Sequence, residues 1–266
     1  MKVVIAHNRY SSAQPSGENT VVDTEIQQLT EAGVRVLSFQ RTSDEIATLS
    51  VAEKLLLPAS PVYASRAQRE LAALIQREKP DVLHLHNPYP LLSPWVVRTA
   101  HKHGVPVVQT VHNYRHVCAN GLYFRDGHNC HDCLGKAFPT PAVQHSCYRG
   151  SRAQSLIMAT TLTAHRSTWR SIDQYIALTP AIAEHLGTMG IRDDQITVKP
   201  NSIPDPGFHD KAGEGLLFVG RLTEEKGVRL LMDAWQRAFE FPATNKKLRI
   251  VGDGPLRDLV TWVAAS

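Results

Sequence analysis

The stretch LLFVGRLTEEKGVRLLMDAW, residues 216–235, decides the fold class because one apolar strand leads directly into one helix. Its apolar run ends at Gly220, and apolar residues then recur at helical spacing. Arg221 and Lys226 lie in the turn between these elements. Such a turn exposes backbone N–H groups and the positive end of a helix dipole, so the two cations predict a diphosphate clamp. The alternative is an ordinary polar turn with both cations at the surface beside two glutamates.

Strand and helix patterns alternate along the whole chain, which is typical of parallel α/β proteins. The predicted strands are KVVIAH, VRVLSF, DVLHLHN, VPVVQTVHN, DQYIAL, DQITVKPNS, LLFVG and KLRIVG. Helical patterns include residues 43–57, 64–78 and 151–170, and a Thr-Pro pair at Thr179 starts a further helix. The pattern predicts an α/β fold with Rossmann-like, doubly wound domains.

The domain boundaries follow from shifts in composition. We predict a complete Rossmann-like domain over residues 1–203, interrupted by a Cys-rich insertion at 113–150. Residues 204–214 are predicted to be a linker because the surrounding stretch is rich in Pro and Gly. Residues 215–266 start a second Rossmann-like domain. Its two predicted parallel strands give almost no sheet, so we expect the chain to be C-terminally truncated or completed from elsewhere.

Composition limits the classes of partner. The 266 residues carry a formal net charge of +4 with neutral histidines. This mild excess suits phosphorylated ligands or an anionic membrane face, although ordinary charge variation gives the same value, and it argues against a nucleic-acid partner. No apolar run is long enough to span a membrane. The start MKVVIAHNRY predicts a first strand and not a signal peptide, so we expect a cytoplasmic protein.

Polar residues follow several predicted strands, at the edge where open α/β sheets bind ligands. The candidates for binding donor or acceptor are Gly17 and Glu18 after the first strand, His84 and His86 at the end of DVLHLHN, and His112 and Asn113 at the end of VPVVQTVHN. A single histidine at a strand end is more often structural than functional. Three of them on two strand ends leave both interpretations open.

All four cysteines fall within one short window, where they are Cys118, Cys130, Cys133 and Cys147. The central CHDC pair can supply two metal ligands from one tight turn, and the flanking thiolates would complete a tetrahedral site. The clustering predicts a structural zinc ion that braces a loop. Reduced cysteines without metal and disulfides are the alternatives.

Several separated motifs together resemble family 4 of the retaining glycosyltransferases, which have the two-domain GT-B fold. These motifs are HLHNPYPLLSP, VHNYRHVCANGLYFRDG, VKPNSIP, FVGRLTEEKGV and LRIVGDGPLRDLV. The resemblance covers almost the entire chain. It implies transfer of a sugar from a UDP- or GDP-sugar donor to an acceptor hydroxyl with retention at the anomeric carbon. The glycan or lipid-linked acceptor would belong to polysaccharide, glycolipid or cell-envelope glycan synthesis.

The resemblance also implies roles for individual residues. Arg221 and Lys226 match the basic pair that holds the donor diphosphate, so no catalytic metal is expected. His112 matches the histidine that borders the donor sugar. Gly17 matches the glycine-containing first loop, although the family often has two glycines there. Asn201 belongs to a PNG-like turn near the hinge, with serine in place of the usual glycine.

One departure from the family concerns the second domain. The family's pair of glutamates that binds the sugar and ribose has no counterpart before the chain ends at Ser266. A complete donor site is therefore not expected from these residues alone. The leading hypothesis is a retaining glycosyltransferase. The alternatives are a catalytically inactive remnant that keeps acceptor or partner binding, and a GT-B epimerase.

The predicted helix at residues 151–170 carries Arg152, His165, Arg166 and Arg170 among apolar residues. Peripheral docking at the inner face of the plasma membrane is one interpretation, because many relatives use lipid-linked acceptors. A helix packed on the core with a solvated basic face is the favoured one.

Overall fold

A computed structural model of the chain describes residues 1–13, 16–203, 205, 207, 213–239 and 247–265. The chain divides into two compact units. The first comprises Met1–Tyr123 and His131–Ile203, and the second comprises Phe124–Cys130 and Pro204–Ser266. Most of the predicted linker at 204–214, and the final residue Ser266, lie outside the described residues.

The regular elements of these residues follow the alternation that the sequence predicts. The strands are β1 (Lys2–Arg9), β2 (Arg35–Thr42), β3 (Val82–Leu85), β4 (Val107–Val111), β5 (Phe124–Arg125), β6 (His128–Asn129), β7 (Gln174–Ala177), β8 (Ile196–Val198), β9 (Leu216–Val219) and β10 (Leu248–Val251). The helices are α1 (Gly17–Glu31), α2 (Glu45–Thr48), α3 (Val51–Leu56), α4 (Ser65–Glu78), α5 (Trp95–Lys102), α6 (Thr140–Gln144), α7 (Arg152–Ala164), α8 (Arg166–Arg170), α9 (Pro180–Thr188), α10 (Val228–Phe239) and α11 (Arg257–Ala265). Short 3-10 turns lie at Leu57–Ala59, Asp193–Gln195 and Glu224–Lys226.

The first unit is built on a six-stranded parallel sheet with strand order β2-β1-β3-β4-β7-β8. The chain starts inside this sheet, adds β2 on one side and then extends through β3 on the other. The strand order therefore reverses direction at β1, which is the feature of a doubly wound α/β domain. Ligands in such sheets bind outside the carboxyl ends of the strands, at this reversal.

Side chains alternate between the two faces of the sheet, and each face has its own apolar core. On one face, Val3 and Ile5 of β1 pack with Val22 of α1. On the other face, Val4 and Leu83 belong to the larger core that also includes residues of α4, α5, α7 and α9. Helix α1 therefore covers its own face of the sheet, and this face carries the residues of interest below.

The sequence predicts one continuous helix at residues 43–57. This prediction is wrong, because two separate helices occupy the stretch. Helix α2 ends at Thr48, and Leu49 is extended with ψ at 142°. Ser50 then starts α3 with a capping box, in which its hydroxyl accepts from the Glu53 N–H at 3.3 Å and its own N–H donates to the Glu53 carboxylate at 2.9 Å. Two satisfied backbone donors favour a new start over continuation of the first helix.

The predicted helix at 151–170 is likewise divided into α7 and α8. The junction is His165, whose backbone leaves the helical conformation at φ −100° and ψ 8°. Its side chain is fully buried, and Nε2 hydrogen-bonds the Val62 carbonyl at 2.8 Å. The predicted cap at Thr179 is confirmed, because its hydroxyl accepts from the Ile182 N–H at 3.2 Å.

The second unit contains a parallel pair formed by β9 and β10. Two glycines of the loop after β10 contact the backbone that follows β9. A Cβ at Gly252 would collide with the Gly220 carbonyl oxygen, and one at Gly254 would lie 2.6 Å from the Leu222 carbonyl oxygen. The Leu222 N–H also donates to the Asp253 carbonyl at 2.9 Å. The GDG sequence is therefore required for close backbone approach beside Arg221.

This contact predicts that Gly252→Ala lowers the free energy of unfolding by about 1–3 kcal/mol, because the new methyl group must displace main chain. Chemical denaturation of Gly252→Ala, of a control variant and of the wild type measures this loss of stability. Gly213→Ala is the matched control in the same unit, since a Cβ there meets no atom within 4 Å. Equal stability of the two variants would contradict the close approach.

Candidate functional site

A layer of buried histidines lies at the carboxyl ends of β1, β3 and β4, on the face that α1 covers. Ile5 of β1 pairs with His84 of β3. Because side chains alternate, His7 and His86 follow one step further along the same face. The exposed fractions of His7, His84 and His86 are 0%, 6% and 2%. Apolar packing at the start of these strands therefore gives way to polar packing at their ends.

His112 follows β4 and lies at the outer side of this layer. Its Nε2 is 2.9 Å from His86 Nδ1, and the two rings stack with centroids 5.2 Å apart. One of these nitrogens must carry a proton and donate it to the other. His112 Nδ1 therefore remains for a ligand, and the protonation of His86 determines whether that nitrogen donates or accepts.

Burial keeps these imidazoles uncharged at neutral pH. It lowers the pKa of His7, His84 and His112 to about 4, and the neighbouring histidines and basic side chains contribute to the shift. The pKa of His86 is also lowered well below its usual value by burial and by the surrounding histidines. A neutral His112 can hydrogen-bond an uncharged hydroxyl without attracting an anion into the layer.

Other side chains fix the orientation of the inner histidines. His84 Nε2 hydrogen-bonds Thr110 Oγ1 at 2.8 Å, and His7 Nε2 hydrogen-bonds Asn19 Oδ1 at 3.0 Å. The Asn87 N–H donates to His7 Nδ1 at 3.4 Å. These contacts hold the rings in place, because a buried imidazole without partners is costly.

Glu18 lies in the first turn of α1 and lines a small pocket together with His112. The pocket is lined by Glu18, His86, His112, Asn113 and Arg115, among others. Four of these five were predicted as site residues from the sequence. The structure therefore brings Glu18, His86, His112 and Asn113 together at one concave position, where small ligands bind.

The Glu18 carboxyl has an environment that makes it nearly half protonated at neutral pH. Burial raises its pKa to about 7, against the opposing effects of the Arg115 charge and the Tyr10 hydroxyl. The Tyr10 hydroxyl donates to Oε2 at 3.3 Å. Oε1 is buried and has no hydrogen-bond partner among the residues that the structure describes. Glu18 can therefore accept from, or donate to, a bound hydroxyl group.

Two further predicted residues lie apart from this pocket. Gly17 is exposed at the first position of α1, and a Cβ there would meet no atom within 4 Å. The fold itself therefore does not require glycine at this position. Asn201 lines a different small pocket with Glu25, Thr110 and Lys199.

In the second unit, Arg221 follows β9 and Lys226 ends the 3-10 turn before α10. Both residues are exposed. Arg221 pairs with Glu225 through an N–O distance of 3.0 Å. Gly227 adopts the left-handed conformation at φ 70°, and α10 begins one residue later. Lys226 is thus two residues before the helix, and Arg221 pairs with a glutamate of the same turn.

The cysteines of the window have different surroundings. Cys118 donates its thiol to Asn120 Oδ1 at 3.0 Å, and Cys133 belongs to the main apolar core. Within the described part of the chain, no group of three or more potential ligands at metal-binding separation includes a cysteine. These described cysteines form no disulfide. Zinc binding by Cys118, Cys130, Cys133 and Cys147 stays a prediction.

Comparison with known proteins identifies the family. A family model described as "Glycosyl transferase 4-like domain" matches residues 16–202, which is most of the first unit. The chain belongs to this family. No curated protein matches the sequence significantly.

Solved structures similar to this glycosyl transferase 4-like chain have GT-B architecture. The apo lipopolysaccharide outer core galactosyltransferase WaaB matches with a TM-score of 0.53 and 15% identity, over 100% of this chain and 64% of that chain. HepE of Anabaena in complex with UDP-glucose and a UDP-N-acetylglucosamine 2-epimerase match with TM-scores of 0.48. Each is 14% identical and covers 100% of this chain, and the chain spans 65% and 67% of them respectively. The match to WaaB confirms the predicted α/β fold of GT-B type.

Arg166 and Arg170, two of the basic residues predicted for membrane contact, have internal partners in the family domain. Arg166 donates to the carbonyls of Lys136 and Ala137 at 2.6 and 2.9 Å, and Arg170 donates to the Met189 carbonyl at 3.0 Å. Arg152 starts α7 and is exposed. Among the described residues, no helix combines the length and apolarity that crossing a membrane requires. Peripheral membrane contact stays a prediction.

Several residues of the site were missed from the sequence. Tyr10 and Arg115 reach Glu18 from the first loop and from the Cys-rich insertion, and neither position has a spacing that marks it. His7 was visible as a polar residue at the end of the first strand. Glu25 was visible as a charge on the helix face that also carries Val22 and Ile26.

The raised pKa of Glu18 predicts a pH dependence of stability. An unfolded-state pKa near 4.5 and a folded-state pKa of about 7 mean that its contribution is present below pH 4.5 and is lost as pH rises through 7. Relative to Glu18→Gln, the wild type should lose about 2–3 kcal/mol of unfolding free energy between pH 4.5 and 7.5. Urea titrations at both pH values measure this difference. Glu31→Gln, at an exposed site on the same helix, is the control. Equal pH dependence of stability in all three proteins would contradict the raised pKa of Glu18.

Proposed function

We propose that the chain is part of a retaining glycosyltransferase that moves a sugar from a UDP- or GDP-sugar to an acceptor hydroxyl. The observation that carries the proposal is the neutral His112, which is held by His86 and shares a small pocket with Glu18 at the carboxyl edge of a glycosyl transferase 4-like domain. Uncharged hydrogen-bonding groups beside a titratable carboxyl suit a polyhydroxylated substrate. Fold alone would not assign this activity.

In the proposed reaction the acceptor oxygen bonds to the anomeric carbon from the side that the leaving group departs. The bond between this carbon and the diphosphate oxygen breaks, and the acceptor proton goes to the departing diphosphate. Nucleoside diphosphate and a glycoside of unchanged anomeric configuration result. His112 would orient a hydroxyl of the donor sugar, and Glu18 and Asn113 would orient the acceptor hydroxyl.

Arg221 and Lys226 are proposed to hold the donor diphosphate. Negative charge grows on the diphosphate as the sugar leaves, and fixed cations stabilise that charge in the transition state. The Arg221–Glu225 pair is exposed, and exposed pairs contribute only about 0–1 kcal/mol. A diphosphate with two charges can therefore displace Glu225. This arrangement would perform the role of a catalytic metal ion, and Gly17 and Asn201 would contact the donor from separate loops.

The acceptor is proposed to be a glycan or lipid-linked molecule of a cell-envelope, polysaccharide or glycolipid pathway. This part follows from the family and not from a contact in the site. The mild positive charge and the exposed Arg152 would suit work at the inner face of the plasma membrane.

Substitution of Arg221 tests the proposed activity. In a full-length version, release of nucleoside diphosphate from UDP- and GDP-sugars is measured, with water as the default acceptor. Arg221→Ala should raise the barrier by about 2–4 kcal/mol, a loss of roughly 30- to 900-fold in rate, because one charge-stabilising donor is removed. Arg229→Ala is the control, since Arg229 pairs with Glu224 in the same region at 2.8 Å.

The outcomes separate the activity from the residue. No release from any donor by the full-length wild type would contradict the glycosyltransferase proposal. Release at an equal rate by the wild type and Arg221→Ala would keep the activity and remove Arg221 from the mechanism. A selective loss in Arg221→Ala, with Arg229→Ala unchanged, is the expected result.

A further inference from the structure

Glu25, His84 and His86 converge between α1 and the sheet, behind the pocket. Glu25 Oε1 lies 3.3 Å from His84 Nδ1, and Glu25 Oε2 lies 3.5 Å from His86 Nε2. One ligand atom from each residue lies within 4.8 Å of the other two. His86 is completely buried at its side chain, and its Nε2 has no hydrogen-bond partner in the described parts of the chain. A buried ring nitrogen that faces a carboxylate in this way requires a further explanation.

We propose that Glu25, His84 and His86 bind a divalent transition-metal ion of the Zn²⁺ class. Two imidazole nitrogens and one carboxylate are a ligand set of zinc proteins, with bonds of about 2.0–2.2 Å. In a tetrahedron with such bonds, neighbouring ligand atoms are separated by roughly 3.3–3.6 Å. The two distances from the Glu25 carboxylate, each to a different oxygen, fall in the range of adjacent ligands. The three ligand atoms lie within 4.8 Å of one another, so small side-chain movements would bring them to bonding distance of one ion.

Burial keeps the two histidines neutral, which is the form that binds metal ions. Burial lowers the pKa of His84 to about 4 and that of His86 well below its usual value, so both offer lone pairs at neutral pH. Burial raises the pKa of Glu25, and an ion would stabilise its charged form. Lys199 is the opposing cation near all three residues, and it is exposed, so its charge is largely solvated. The neutral rings of His7 and His112 also lie near His86.

In both histidines, the ring nitrogen that does not face Glu25 already has the hydrogen-bond partner that a metal site requires. His84 Nε2 contacts Thr110 Oγ1 at 2.8 Å, and His86 Nδ1 contacts His112 Nε2 at 2.9 Å. A metal-bound histidine carries its proton on the other nitrogen and donates it to such a partner. An ion on His86 Nε2 would make His86 Nδ1 the donor to His112. The remaining proton of His112 would then lie on Nδ1, which can donate to a ligand.

An ion can reach this position from solvent. The Glu25 side chain is 17% exposed, and it lines a small pocket with Thr110, Lys199 and Asn201. The site is distinct from the cysteine window, because no cysteine belongs to the ligand group. The ion would fix the tautomers of the histidine layer. The effect on His112 rests on the proposed function. The binding of the ion does not.

Cobalt binding to the intact chain tests the proposal. Co²⁺ in a histidine–carboxylate site gives visible d–d bands without the thiolate-to-cobalt charge-transfer band of a cysteine site. We expect one Co²⁺ per chain, no thiolate band, and displacement by Zn²⁺. Glu25→Gln should weaken binding at least about 10-fold, because it removes a charged ligand. Glu31→Gln, at an exposed position of the same helix, should bind as the wild type does.

Each other outcome overturns the assignment. Absence of Co²⁺ and Zn²⁺ binding by the wild type would refute the site. A thiolate band that disappears in Cys133→Ser would place the ion in the cysteine window instead. Unchanged affinity in a folded Glu25→Gln would exclude Glu25 as a ligand. If that variant fails to fold by circular dichroism, His84→Gln and the wild-type spectrum decide. Because the experiment measures metal binding, a negative result would leave the proposed sugar transfer untouched.

Discussion

The hydrogen bond between His86 Nδ1 and His112 Nε2 connects the interior of the sheet to the candidate site. Imidazoles buried among apolar side chains must remain neutral, and their N–H groups must find acceptors. Thr110, Asn19 and His112 supply these partners for the inner layer. The orientation of His112 therefore depends on the buried residues of this layer. Substitutions in the layer should act on the site through this geometry as well as through stability.

Much of the fold was predictable because apolar periodicity is determined locally. The parallel strands follow apolar runs, and the cap at Thr179 follows from the Thr-Pro pair. The break at Ser50 was missed, although Glu53 completes a visible capping box, because a continuous helical pattern overrode the cap in our interpretation. The junction at His165 depends on a tertiary contact with Val62, which no local pattern contains.

The candidate site was predictable where topology alone determines position. Strand ends meet at one edge of a parallel sheet, so Glu18, His86, His112 and Asn113 share a pocket. Arg115 could not be predicted in this way, because its position depends on the path of the insertion. The proposed zinc site of the cysteine window stays a prediction, because clustering in sequence does not by itself fix where the thiols lie. Glu25 was overlooked because a charge within an amphipathic helix usually faces solvent.

Histidine protonation states test the central claim, that the buried layer keeps His112 neutral and oriented. Nitrogen-15 NMR of labelled chain reports charge and tautomer of each ring as a function of pH. The account predicts that His112 has a pKa of about 4 and therefore stays neutral at all higher pH values. It also predicts that one proton lies between His86 Nδ1 and His112 Nε2, on one nitrogen or the other. Titration of His112 at the ordinary histidine pKa near 6.5, with both tautomers populated, would contradict it.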